Sequence, residues 1–266
     1  MIDIKIEHIK TVQHNINNGV TAPKFALTDD NISVVVKTFN GPEGQLVLFN
    51  ELFCYRLAIL IGLPMPASGV CLIDKGTVIH DNCISQDQYG YGFYSTYLHK
   101  STVLVETIIP LITNKEEFYK IVLFDHIIFN SDRNPGNLLV QFYKKNVSLM
   151  VIDHSHVFIN QAVWDANCLN RAIDEKDYYS TRVLDDNSFL YGMFFRNLPI
   201  SEDAFNNTKE AIRDSVNEQA MRNIVADIPY EWRPLTKDID ALIRYILYRI
   251  EHIDDIIITI MNYLRK

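Results

Sequence analysis

The sequence predicts an α+β protein of two lobes, the first rich in strands and the second mainly helical, with a cleft between them. Three observations carry this expectation. A β-branched run around position 35 is followed by a run of helical period, the chain beyond about 113 is dominated by helical periodicity, and a polar loop at 131–137 is enclosed by apolar segments. Residues 1–88 are expected to form the N-terminal lobe and 89–266 the C-terminal lobe.

Residues 31–39 are rich in Val, Ile and Thr and read as a strand, which Gly41-Pro42 breaks. From 43 to 61, Leu46, Phe49, Phe53, Leu57 and Leu60 recur at three- and four-residue steps, predicting an amphipathic helix that Gly62 and Pro64 end. Strands are predicted at 70–73 and 77–84, around Asp74-Lys75-Gly76. The polar, Gly- and Tyr-containing stretch 86–95 is the candidate hinge. A helix is predicted over 113–130, with Phe118, Ile121, Val122 and Phe129 in helical register, then a hairpin of 138–142 and 147–152 ending at Asp153. Several helices follow from 202, the last from 237 to about 264.

The chain of 266 residues is long enough for one large domain or two lobes. Its 25 basic and 33 acidic residues give a net charge of −8, which argues against a dedicated nucleic-acid binder and against docking on anionic lipid. Cys54, Cys71, Cys83 and Cys168 form no CxxC pair and suit free thiols in a reducing compartment. Met1-Ile2-Asp3-Ile4-Lys5 lacks the apolar core of a signal peptide, and the apolar runs are shorter than a membrane span. A cytoplasmic protein is expected.

The chemistry is concentrated in Asn130-Ser131-Asp132-Arg133-Asn134-Pro135-Gly136-Asn137. Phosphoryl transfer asks a protein mainly to place charges. An Asp at the start of such a loop can accept the proton of an attacking hydroxyl, and an Asn five residues later can offer Mg²⁺ the hard oxygen it prefers. A polar Pro-Gly turn would use the same residue types for backbone reasons. Asp153, closing the apolar run Leu149-Met150-Val151-Ile152, would reach the same place if the hairpin folds back across the loop. Lys37 alternates onto one strand face with Val35 and Phe39, and Glu51 on the next helix has apolar neighbours, so a buried Glu51 needs a partner such as Lys37. His154 and His156 lack the further ligands of a zinc site, and the His80-Asp81 pair sits in a β-like run instead of the helix a phosphohydrolase would use.

The order Lys37, Glu51, Asp132, Asn137, Asp153 resembles the protein-kinase-like superfamily. Asp132-Arg133-x-x-Gly136-Asn137 with Ile152-Asp153-His154-x-His156 is similar to the catalytic and metal loops of phosphoinositide 3- and 4-kinases. Phe124-Asp125, Asn130-x-Asp132-Arg133, Asn50-Glu51 and Leu57-Ala58-x-x-x-Gly62-Leu63-Pro64-x-Pro66 resemble the short HipA-like kinase-domain proteins of bacteria. The resemblance implies a bilobal kinase-like fold using ATP and Mg²⁺, with Asp132 as catalytic base and Asn137 and Asp153 as metal ligands. Lys37 would hold the ATP phosphates, Glu51 would orient it, and Gly19 and Thr21 would belong to the phosphate-covering loop, which has no GxGxxG. Asn134 stands where HipA-like sequences commonly have His.

The resemblance further implies a Ser or Thr of a protein as acceptor, autophosphorylation among the options, and for toxin-type members an antitoxin-like or regulatory partner. Phosphoinositide or small-molecule kinases, a pseudokinase binding module and AMP transfer stay open as alternatives. Direct nucleic-acid binding and membrane attachment are not expected.

Overall fold

The computed structural model describes residues 6–16 and 21–265. Its N-terminal part is built on β1 (Glu7–Asn15), β2 (Lys24–Thr28), β3 (Ser33–Lys37), β4 (Ser68–Ile73), β5 (Val78–Ile79) and β6 (Gly90–Thr96), with helix α1 (Leu46–Leu60) between β3 and β4. The strand order is β2-β3-β6-β4-β1-β5, and β1 also pairs antiparallel with β2, so five of the strands close into a ring. On β3, Val34 and Val36 pack into a separate apolar cluster with Ile9, Val12, Ala26, Cys71 and Ile73. Period-two alternation turns Val35 and Lys37 the other way, into the cleft.

The C-terminal part begins with β7 (Ser101–Val103) and α2 (Glu117–Ile127), followed by the hairpin of β8 (Leu138–Tyr143) and β9 (Asn146–Val151). These three strands form a small antiparallel sheet in the order β7-β8-β9. Then come α3 (Ala166–Asp174), α4 (Arg182–Asp186), α5 (Ser188–Phe195), α6 (Glu202–Ser215), α7 (Glu218–Asp227), α8 (Thr236–Glu251) and α9 (Ile253–Leu264). One apolar core runs from Phe49 and Phe53 of α1 through Phe118 and Phe124 of α2 to Phe194, Ile246 and Ile253. Phe118 stacks on Phe194 with centroids 3.5 Å apart, which fixes α2, and hence the loop it feeds, against α5. Burying such a ring contributes roughly 2–3 kcal/mol.

Four expectations about elements are corrected. The candidate hinge 86–95 forms a short 3₁₀ turn and then β6, an internal strand between β3 and β4. Its glycines misled: a Cβ on Gly92 would lie 2.8 Å from the Lys37 carbonyl, so Gly92 allows close strand approach and is not a sign of flexibility. The chain leaves the sheet only after Thr96, and we propose that the lobes divide at 97–100, beyond position 88.

The strand expected over 77–84 shrinks to Val78–Ile79, because Asp81 and Asn82 take positive φ (56° and 48°) and turn the chain; His80-Asp81 is part of that turn. Helix α1 is buried on nearly all sides, being enclosed by both lobes, although Leu60 is exposed. The last predicted helix is two, α8 and α9, parted at His252, whose ring stacks on Tyr178 at 3.9 Å.

Candidate active site

Two packed elements deliver each functional side chain to a cleft of about 750 Å³ between the lobes, within the usual range for small-molecule sites. Lys37, Glu51, Thr21, Asp132, Asn137 and Asp153 all line it. From above, β3 ends in Lys37, whose side chain is 11% exposed. Its ammonium donates to Glu51 Oε1, to Asp153 Oδ1 at 3.0 Å and to Ser155 Oγ at 3.4 Å. Burial alone would lower the Lys37 pKa, but the Asp153 and Glu51 carboxylates outweigh it and hold the group above its ordinary range. Glu51 is fixed from its other side by the His154 backbone N–H, 3.0 Å from Oε2. Its burial pushes the carboxyl upward despite Lys37.

Asp153 follows β9 with φ +61°, a conformation rare for a non-glycine residue and kept only where surroundings enforce it. Here they do. Asp153 Oδ1 accepts from Lys37 and from the Ser155 hydroxyl at 2.6 Å, and Asn50 donates to the Ser155 carbonyl at 2.8 Å while accepting from Trp164 Nε1 at 2.9 Å. Burial opposes ionisation of Asp153, yet Lys37 and Ser155 together hold it well below the usual carboxylate range.

From below, α2 runs into the loop through Phe129 at φ +48° and the Asn130 N–H to Asp125 carbonyl bond of 2.7 Å. The Asp132 carboxylate is about half exposed (49%) and faces the cleft. Burial raises its pKa, and nearby His156 opposes that rise. The His156 ring stands between two acids, Nε2 at 2.9 Å from Glu43 Oε1 and Nδ1 at 3.9 Å from Asp132 Oδ2. Asn134 and Asn137 both donate to the Asp132 carbonyl, at 3.1 and 2.8 Å, so each amide is oriented by the loop it belongs to.

Arg133 points away from the cleft and is 1% exposed. Its guanidinium engages both Asp125 oxygens, the Ile152 carbonyl at 2.8 Å and His154 Nε2 at 2.8 Å. One buried cation thus ties α2, the catalytic-type loop and the segment after β9 together. With Nε2 accepting from a cation and the ring fully buried, His154 is held neutral, its pKa well below the ordinary value.

The fit of a divalent cation can be judged from these bonds. Asn137 spends its amide N–H on the loop and keeps Oδ1 without a hydrogen bond among the described residues. Asp153 spends Oδ1 on Lys37 and Ser155 and keeps Oδ2 likewise. An amide oxygen and an ionised carboxylate in one cleft are the hard donors Mg²⁺ accepts, with phosphates and water completing its shell.

The family model for HipA-like kinase matches residues 9–188. The chain belongs to the HipA-like kinase family. No curated protein matches the sequence. Among solved structures, this HipA-like kinase is similar to the Helicobacter pylori proinflammatory kinase CtkA, at 11% identity, 98% and 99% coverage of the two chains and a TM-score of 0.60. It is also similar to the Golgi casein kinase with Mn/ADP bound, at 12% identity, 96% coverage of this chain, 74% of that one and a TM-score of 0.56. At such identities the likeness establishes the fold alone, and that fold is kinase-like.

Of the sequence-predicted residues of this HipA-like kinase, Lys37, Glu51, Asp132, Asn137, Asp153 and Thr21 meet at one cleft, while Gly19 lies outside the described residues. Ser155, which holds Asp153, and Glu43, which holds His156, carried no signal of their own, and Asn50, which holds the Ser155 carbonyl, was legible only as part of the Asn50-Glu51 resemblance. Arg133 had one: a charged residue in an otherwise polar loop beside apolar walls, with Asp125 waiting in the preceding helix.

Proposed function

We propose that this kinase transfers the γ-phosphoryl group of ATP, with Mg²⁺, to a Ser or Thr hydroxyl of a protein. The observation that carries the reading is the convergence of Lys37, Glu51, Asp132, Asn137 and Asp153 on one cleft although they span 116 residues between Lys37 and Asp153. Lys37, locked by Glu51, presents its ammonium to the phosphates. Asn137 Oδ1 and Asp153 supply oxygens for Mg²⁺, which when bound neutralises phosphate charge. Asp132, the half-exposed carboxylate, accepts the proton of the acceptor hydroxyl. The Mn/ADP complex of the structurally similar Golgi casein kinase supports nucleotide and divalent-metal use.

A protein acceptor fits the acidic surplus of 33 over 25 charged residues better than an anionic lipid surface does. Among the described residues no helix is long and apolar enough to cross a membrane. The apolar side of α8 and α9 is spent on the core through Ile246, Ile250, Ile253, Ile257 and Ile260. We place the protein in the cytoplasm on the strength of four free thiols, three of them buried, and expect a regulatory protein partner of antitoxin type on the family resemblance.

The test is transfer from γ-labelled ATP to lysate protein and to phosphoinositide vesicles, with wild type and Asp132→Asn side by side. Label in protein that depends on Asp132 is expected. Asp132-dependent label in lipid alone overturns the acceptor, and no Asp132-dependent label in either overturns the reading.

A further inference from the structure

Asn187 lies at the junction of α4 and α5, 1% exposed, and grips the backbone on both sides of Asp132. Its Oδ1 accepts from the Arg133 N–H at 2.9 Å, and its Nδ2 donates to the Asn130 carbonyl at 2.8 Å. A carboxamide carries an acceptor and a donor on one planar group, the pattern of a peptide unit, so Asn187 pairs with the loop as a strand would. Between its two contacts lie only Ser131 and Asp132. Asn187 is itself fixed, since Nδ2 also reaches Tyr191 Oη at 3.2 Å, and that hydroxyl donates to Asp125 Oδ2 at 3.2 Å. Behind it, α5 is anchored by buried Leu190 and by Phe194 on Phe118.

The Asp132 carboxylate, by contrast, has few side-chain restraints of its own; the His156 ring stands 3.9 Å from it. Its backbone N–H donates to Asn130 Oδ1 at 3.0 Å, and its carbonyl takes Asn134 and Asn137. All of those contacts stay inside the loop, so they shape it without placing it. Placement relative to the helical lobe comes from Asn130 and Arg133, which both bond Asp125 of α2, and from Asn187, which spans the segment between them.

Resting on the phosphotransferase reading, we propose that Asn187 is a positioning residue for the reaction: it holds the segment bearing Asp132 at the distance where an acceptor hydroxyl can be engaged. Misplacement of a reacting group by about 1 Å costs on the order of 100-fold in rate. The nucleotide is held by Lys37, Asn137 and Asp153, none of which Asn187 touches.

The experiment uses the full chain as Asn187→Ala and Asn187→Asp, the second keeping an acceptor for the Arg133 N–H and nearly the same volume. Amide hydrogen exchange over 130–137 is measured with steady-state transfer from MgATP and thermal melting. For Asn187→Ala, faster exchange in that segment is expected, with kcat lower by on the order of 100-fold and the KM for MgATP within about two-fold of wild type. Asn187→Asp should fall between the two, and it carries the test if the alanine variant does not fold. Unchanged kcat in a folded variant overturns the proposal, as does a loss shared equally by kcat and MgATP affinity. If the wild type transfers no phosphate, the functional reading fails by itself, and unchanged exchange over 130–137 then overturns the clamp as well.

Discussion

The ammonium of Lys37 stands 3.0 Å from Asp153 Oδ1 while also donating to Glu51, so one buried cation holds two carboxylates that reach it from different lobes. Removing it strands both acids. Lys37→Met should therefore cost about 3–5 kcal/mol of stability near neutral pH, as breaking a buried pair does. Asp153 is held below its ordinary pKa, so its contribution is present above the ordinary carboxylate range and is lost as pH falls through the lower folded value. Lys37 is held above its ordinary value, so its share is lost only as pH rises through that raised value. The deficit of Lys37→Met should accordingly shrink toward acid in denaturant titrations. A deficit that grows on acidification contradicts the pairing.

Asp132 and Asp153 should separate when nucleotide binding is measured. In its proposed role Asp132 serves the acceptor and not the nucleotide, so Asp132→Asn should bind MgATP within a few-fold of wild type while transfer is lost. Asp153→Ala removes the oxygen proposed for the metal and one of Lys37's two acids, and should weaken binding by ten-fold or more, on the order of 1.4 kcal/mol. Calorimetric titration with and without Mg²⁺ reads both. Wild-type MgATP affinity in Asp153→Ala would make that residue a structural cap.

In its proposed role Asp132 must be ionised to accept a proton, and burial raises its pKa against the opposing effect of His156. The acid limb of kcat/KM should thus lie above the ordinary carboxylate value of about 3.9, with activity lost as pH falls through it. His156→Ala removes the opposing group, so the limb should move to higher pH. A limb that moves down, or stays, removes His156 from the account of Asp132.

Arg133→Lys preserves charge but not the planar fork that meets Asp125, Ile152 and His154 together. With Asp125 fully buried, an imperfect partner should destabilise the protein by about 2–4 kcal/mol, and Arg133→Met by more, because the carboxylate is then alone. Thermal unfolding of the two variants checks the order. Equal melting points would show that Arg133 is not the tie.

The local sequence was enough for the elements and residue types of the site. Val34-Val35-Val36-Lys37 reads as an alternating strand, and the apolar run ending at Asp153 reads as one that brings an acid to a strand end. What misread was governed by neighbours. Gly92 looks like a hinge residue until the Lys37 carbonyl is placed 2.8 Å from where its Cβ would be. A single long helix over 237–264 is compatible with its own residues, but the packing of Tyr178 on His252 marks the break between α8 and α9.

Residue identity and spacing therefore determined that this chain carries a lysine, a glutamate, a catalytic-type loop and a strand-end aspartate in the order a kinase needs. Only the tertiary structure decided that they meet, and which groups hold them. Asn187 reaches Arg133 and Asn130 across 54 and 57 residues, and Asn50 reaches Ser155 across 105. Periodicity reports the face a residue presents within its own element. A hydrogen bond between distant elements depends on how those elements pack, and that is set by the shared core from α1 through α2 to α5, to which the whole chain contributes.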